Sequence, residues 1–159
     1  MRRMIEKTSE IHAIHGKDLD QITESLGLTV MYEQMEGRMK EVYFQNLIVI
    51  REDLSQREKR ELIAHALCHH LLHAGNHMAM QKRIYSFGNY HEKQANAFAA
   101  CLLMPSQEFE ALIKNKPRID EIANHFQVME DLARLRMLVW TNYEKPRIQE
   151  APIRHRAAS

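Results

Sequence analysis

Apolar residues along this chain change their period twice, from a helical spacing to a strand-like one and back. Over residues 17–26, Leu19, Ile22 and Leu26 share one helical face, and Gly27 follows where a helix would stop. Leu28–Tyr32, Lys40–Phe44 and Leu47–Ile50 are rich in β-branched and aromatic residues, with turn-forming Gly37 and Gln45-Asn46 between them, which predicts three antiparallel strands. Ser55-Gln56-Arg57-Glu58 has the form of a capping box and opens a long helix that Gly75 would end. A second long helix is predicted from Glu92 to Pro105, with Glu92, Asn96, Ala99 and Leu103 on one face and Ala95 and Ala99 small enough for close approach to the first. Pro105 stops it and begins a short helix over Ser106–Lys114 that carries Phe109 and Leu112 inward. After Pro117, Ile119–Val128 and Glu130–Trp140 read as two short helices around a tight turn. The expected class is α+β: a small three-stranded antiparallel sheet on a mainly helical core, with helix-turn-helix-like helices at 117–142. Residues 1–142 form the expected domain, and the polar, proline-containing stretch 143–159 a flexible tail.

Composition narrows the class. A chain of 159 residues buries one core without staples. The net charge of +1, with both signs interspersed, gives no basic face for nucleic acid and no acidic tail. Cys68 and Cys101 lie in apolar helical runs and read as reduced, packed thiols rather than a disulfide. There is no apolar run of about 18 residues, and Met1-Arg2-Arg3-Met4-Ile5-Glu6 lacks a signal peptide's apolar stretch, so a soluble, cytoplasmic protein is expected.

The chemistry begins in Leu62–His73. His65 and His69 stand at i and i+4, one above the other on a helix face, so both imidazoles can reach one metal ion, as in the H-E-x-x-H signature. Position 66, where that signature has its general base, is alanine. Six of the ten histidines lie between His65 and His91, so the pair alone has little specificity. Glu92, opening the second helix, adds the third ligand that a His₂Glu zinc site takes. Cys68 is a weaker ligand candidate because it also fits a core position, and His70, His73 and His77 read as packing or solvent-facing. The connection 75–91 could wall the site, with Tyr85, Tyr90 and His91 as candidate oxyanion donors.

These residues resemble the ImmA/IrrE metallo-endopeptidases of bacteria, prophages and integrative elements. The family's first motif, H-E-L-G-H-x-L-L-H, is matched at His65, Leu67, His69, Leu71, Leu72 and His73, but Ala66 and Cys68 stand where glutamate and glycine are usual. Its second motif, E-x-x-A-N-x-F-A-x-x-L-L-M-P, is matched at Glu92, Ala95, Asn96, Phe98, Ala99, Leu102, Leu103, Met104 and Pro105. The likeness extends over about residues 10–140 and includes Arg136. It implies a zincin-like core, Zn²⁺ on His65, His69 and Glu92, and cleavage of a helix-turn-helix repressor that derepresses prophage, mobile-element or stress genes. In peptidases of this kind an edge strand receives the substrate as an added strand, for which Leu47–Ile50 or Lys40–Phe44 would serve.

Ala66 qualifies that implication, since a methyl group cannot move a proton and loss of a general base costs roughly 10²- to 10⁴-fold in rate. Glu61, one helical turn before His65, is poorly placed to substitute. The chain therefore reads either as a peptidase rendered inactive at Ala66 or as a non-catalytic, zinc-containing relative that regulates by binding a repressor or other protein. Direct DNA binding is not expected of the helix-turn-helix-like pair, because Glu130 and Asp131 occupy the turn that would approach phosphates and only Arg134 and Arg136 are basic on that helix. Packing on the core is the preferred reading.

Overall fold

A computed structural model describes residues 1–72 and 90–145. The chain opens with α1 (Arg2–His15), whose Met4, Thr8 and Ile11 are buried at spacings of one helical turn. The spacing of large apolar residues points only to α2 (Leu19–Ser25), because α1 completes its inward stripe with a threonine. The Thr8 hydroxyl returns its hydrogen bond to the Ile5 carbonyl, which lets a polar residue occupy that stripe. Gly16, at φ 78, ends α1 in a conformation that suits glycine. Asp18 then caps α2 by accepting the Gln21 N–H at 2.9 Å.

Three strands follow, β1 (Thr29–Glu33), β2 (Glu41–Phe44) and β3 (Leu47–Arg51). They form one sheet in the order β1-β3-β2. β2 and β3 make an antiparallel hairpin, with Phe44 opposite Leu47 and Gln45 left-handed at φ 55 in the turn. β1 runs parallel to β3, from Thr29 beside Leu47 to Glu33 beside Arg51. The sheet is thus mixed rather than antiparallel throughout. A simple meander would place β2 in the centre; the centre is taken instead by β3, whose Ile48 and Ile50 are wholly buried, while the more polar β1 and β2 take the edges.

The expected capping box opens α3 (Gln56–Leu72): the Ser55 N–H donates to Glu58 Oε2 and the Glu58 N–H to Ser55 Oγ, each at 3.2 Å. α4 (Tyr90–Leu103) packs along α3 through the fully buried Ala95 and Ala99, and α1 covers α4, where His12 Nε2 bonds the Leu102 carbonyl at 2.9 Å. α5 (Ser106–Ile113), α6 (Ile119–Phe126) and α7 (Glu130–Val139) complete an α+β fold in which Phe98, Phe109, Ile122 and Phe126 share the core with α3. The tight turn between α6 and α7 places Gln127 at φ 54.

Arg136 of α7 is wholly buried. Its Nε donates to the Met104 carbonyl at 2.8 Å, its Nη2 to Ser106 Oγ at 3.1 Å, and its guanidinium pairs with Glu144 while stacking 4.5 Å from the Phe109 ring centre. Arg134 pairs with Glu130 at 3.1 Å. Arg136 is therefore engaged within the fold, while Arg134 makes an exposed pair along its own helix. A π-helical turn, Trp140–Glu144, carries the chain past the expected start of the tail at Tyr143, because a buried charge rather than an apolar side chain fixes Glu144. The remainder of that tail, residues 146–159, lies outside the described residues, as do Gly75 and the connection with His73, His77 and Tyr85. Among the described residues no helix is long and apolar enough to cross a membrane.

Candidate metal centre

α3 and α4 bring three donors together. His65 and His69, each 7% exposed, project from one face of α3, their ring centres 4.9 Å apart and their planes at 69°. Glu92 enters from the first turn of α4, with Oε2 3.2 Å from His65 Nε2. One ligand atom from each of the three residues lies within 4.8 Å of the others. A tetrahedral ion with bonds of about 2.0–2.1 Å has ligands about 3.3 Å apart, so the His65–Glu92 separation already matches one edge of such a site. Two imidazole nitrogens and a carboxylate form a donor set that suits a divalent zinc ion. The residues present fit the metal.

The opposite nitrogen of His65 has a partner that periodicity did not reveal. Its Nδ1 lies 2.9 Å from Oε1 of Glu41, the first residue of β2, and Glu41 is 5% exposed. A carboxylate can only accept, so the proton resides on Nδ1 and Nε2 is directed to the cluster. Burial by itself would lower the His65 pKa, but the Glu41 and Glu92 carboxylates overcome it and hold the ring at about 9 without a metal. Below that pKa the metal-free ring carries a second proton on Nε2, toward Glu92, and a cation there would have to displace it. The sequence did carry a signal for Glu41: a glutamate two positions from Tyr43 on a strand shares its face, here the face toward α3. Tyr43 bonds His70 Nδ1 from that face at 2.7 Å, so His70 has a packing role beside the cluster.

Ala66 is buried within the apolar core, one residue after His65. Glu61 accepts the Met129 N–H at 2.5 Å and so closes the N-terminus of α7. Burial, with Glu58 and Asp131 nearby, raises its carboxyl to about 7 against the bond from Met129. Its bonding is directed to α7. Cys68 packs in the core and Cys101 is free, with burial pushing the Cys101 thiol up to about 11. Tyr90 is 69% exposed at the start of α4, where its oxygen accepts from Gln94 Nε2 at 3.0 Å; the His91 side chain lies outside the described residues. Leu47–Ile50 is removed from the candidate edge strands because β3 is paired on both sides, whereas β2, which bears Glu41, is an edge.

Two buried histidines and a partly buried glutamate between two helices, beside a small sheet, form the arrangement expected of a zincin-like metallopeptidase domain. Residues 23–138 match the IrrE N-terminal-like domain of the peptidase M78 family, and the chain belongs to this ImmA/IrrE family. It is similar to the phage-like element PBSX protein XkdA of Bacillus subtilis strain 168, with 35% identity over 92 residues, which are 58% of this chain and 45% of XkdA. Its fold is similar to that of a Mycobacterium tuberculosis transcriptional regulator, with a TM-score of 0.67 and 15% identity over 86% of this chain and 56% of that one. The chain thus spans about half the length of each relative.

Proposed function

We propose that this chain is a metallopeptidase-type regulatory domain that holds one Zn²⁺ on His65, His69 and Glu92, acts on a helix-turn-helix repressor, and has lost its peptide-hydrolysing base at Ala66. The observation that carries this reading is the convergence of the three donors within 4.8 Å immediately beside a buried alanine. Zinc bound there would polarise a water molecule and a scissile carbonyl. His65 and His69 hold their imidazoles on one face of α3, and Glu92 adds a negative carboxylate from α4. Among the described residues β2 is an edge strand, which would offer backbone groups to an extended segment. At the position that would receive the water's proton, Ala66 offers only a methyl group.

The repressor as partner rests on the family, and the similarity to a phage-like element protein and a transcriptional regulator supports it. A second reading, a zinc-containing relative that regulates by binding alone, draws support from the same alanine and from Glu61, whose carboxylate is engaged by α7.

The test compares the Ala66 protein with Ala66→Glu, each reconstituted with zinc and mixed with the helix-turn-helix repressor encoded nearest its gene. Both forms should bind about one zinc per chain, because position 66 is not a ligand. Only Ala66→Glu should yield a fragment that a chelator suppresses, with a rate gain of roughly 10²- to 10⁴-fold. Equal cleavage by the Ala66 protein would show that another residue is the base. A glutamate variant that binds zinc and the repressor without cutting would favour the binding-only reading.

A further inference from the structure

The geometry points to Glu41 as a positioning residue for the metal centre: it fixes the tautomer and ring orientation of His65 from outside the ligand set. This inference rests on the proposed His65, His69 and Glu92 site and extends it to a fourth residue, on the sheet. Three observations carry it. Glu41 Oε1 lies 2.9 Å from Nδ1, the nitrogen opposite the one that meets Glu92. Both side chains are nearly closed to solvent, at 9% for His65 and 7% for Glu41, so water offers Nδ1 little competition for its partner. The other oxygen, Oε2, is buried and has no hydrogen-bond partner among the described residues, so the carboxylate bears a desolvation cost that its bond to His65 must help offset.

Such a cost is unusual for a residue whose only duty is to hold a strand. β2 already pairs with β3 from Glu41 opposite Ile50 to Phe44 opposite Leu47, and Tyr43 ties the same strand to α3 through His70. What Glu41 adds is specific to His65. With the Nδ1 proton committed to a carboxylate, the Nε2 lone pair is held toward the cluster and made more basic. The alternative tautomer would place the proton on Nε2 and leave Nδ1 facing Glu41, two acceptors in contact at a buried position. Glu41 is too far round the ring to serve as the absent base, since it meets the nitrogen that points away from the cluster.

The test measures zinc affinity by chelator competition in the full chain, with Glu41→Gln, Glu41→Ala and Tyr43→Phe as variants. Glu41→Ala should bind zinc about 10- to 100-fold more weakly than the parent, and Glu41→Gln should fall between them because an amide oxygen still accepts from Nδ1 without the charge. Nitrogen-15 NMR of the zinc-loaded parent should show a His65 Nδ1 proton protected from exchange, a signal lost in Glu41→Ala. Tyr43→Phe removes the neighbouring tie between β2 and α3 and should leave zinc affinity within about twofold of the parent. Parent-like affinity in Glu41→Ala would overturn the role, as would an equal loss in Tyr43→Phe, which would make strand anchoring the cause. A parent that binds no zinc would instead refute the metal centre itself, so the two failures are separable.

Discussion

At the residue scale, the three candidate metal donors were legible and the carboxylate behind them was not. His65 and His69 are readable because an i, i+4 pair in one helix shares a face whatever the rest of the chain does. Glu92 is readable because its motif is contiguous. Glu41 lies 24 residues from His65 and meets it only after the sheet has formed; the alternation along β2 puts it on the face of Tyr43 but names no partner for it. Glu61 is a similar case, readable as a poor substitute base but not as the acceptor for Met129 N–H, 68 residues away. Its carboxyl, raised from the ordinary 4.5 to about 7, gives a pH dependence whose sign follows from linkage. Between those values the folded chain retains a proton that the unfolded chain has released, so the stability Glu61 contributes is fully present below about pH 4.5 and is lost as pH rises to about 7. Glu61→Gln preserves an acceptor for Met129 and removes the titration. In metal-free protein, its stability relative to the parent should be near zero at pH 5 and rise by about 1 kcal/mol at pH 8, a figure reduced for the solvent that screens this partly exposed group. His65 titrates in both proteins and cancels in the difference. Urea unfolding at the two pH values measures it; a difference that does not change with pH would show that Glu61 ionises normally.

At the element scale, the capping signal at Ser55, the strand positions and the breaks at Gly27 and Pro105 are local and were readable as such. The order of the strands was not, because the choice of centre depends on which strand both neighbours can cover, and Ile48 and Ile50 decide that only in three dimensions. Tyr143 and Glu144, the first two residues of the expected tail, lie in a π-helical turn for a related reason. Glu144 belongs to the fold through the buried Arg136, an ionic contact invisible to any hydrophobic pattern. Glu144→Ala should therefore leave a buried guanidinium without its carboxylate and cost about 3 kcal/mol or more. Deleting residues 146–159 leaves that pair intact and should move the unfolding midpoint hardly at all. Chemical denaturation of the two variants makes the comparison. A deletion as damaging as Glu144→Ala would place a docking segment within 146–159, and a harmless Glu144→Ala would mean that Met104 and Ser106 suffice to hold Arg136.

At the scale of the whole molecule, the proposed zinc site would add a second, polar link between elements that the apolar core already joins. Its ligands come from the second half of α3 and the first turn of α4, and His65 is bonded in turn to the sheet. An ion held there would link α3 directly to α4 and, through Glu41, to β2, a stabilising role that does not depend on the missing base. Because the site requires the folded arrangement, zinc at about 100 times its dissociation constant should add about 2.7 kcal/mol to stability. For a domain of this size that corresponds to roughly 5–10 °C in the unfolding midpoint. His69→Ala should abolish the shift, while Ala66→Glu should retain it, since the glutamate would lie beside the site and not in the ligand set. Calorimetry of the three proteins with and without zinc gives the answer, alongside direct measurement of bound metal. Bound zinc with an unmoved midpoint in the parent would show that the unfolded chain holds the ion as tightly as the folded one. The His-His-Glu cluster would then not couple α3 and α4, and any regulatory action of this chain would have to be sought on a surface independent of the metal.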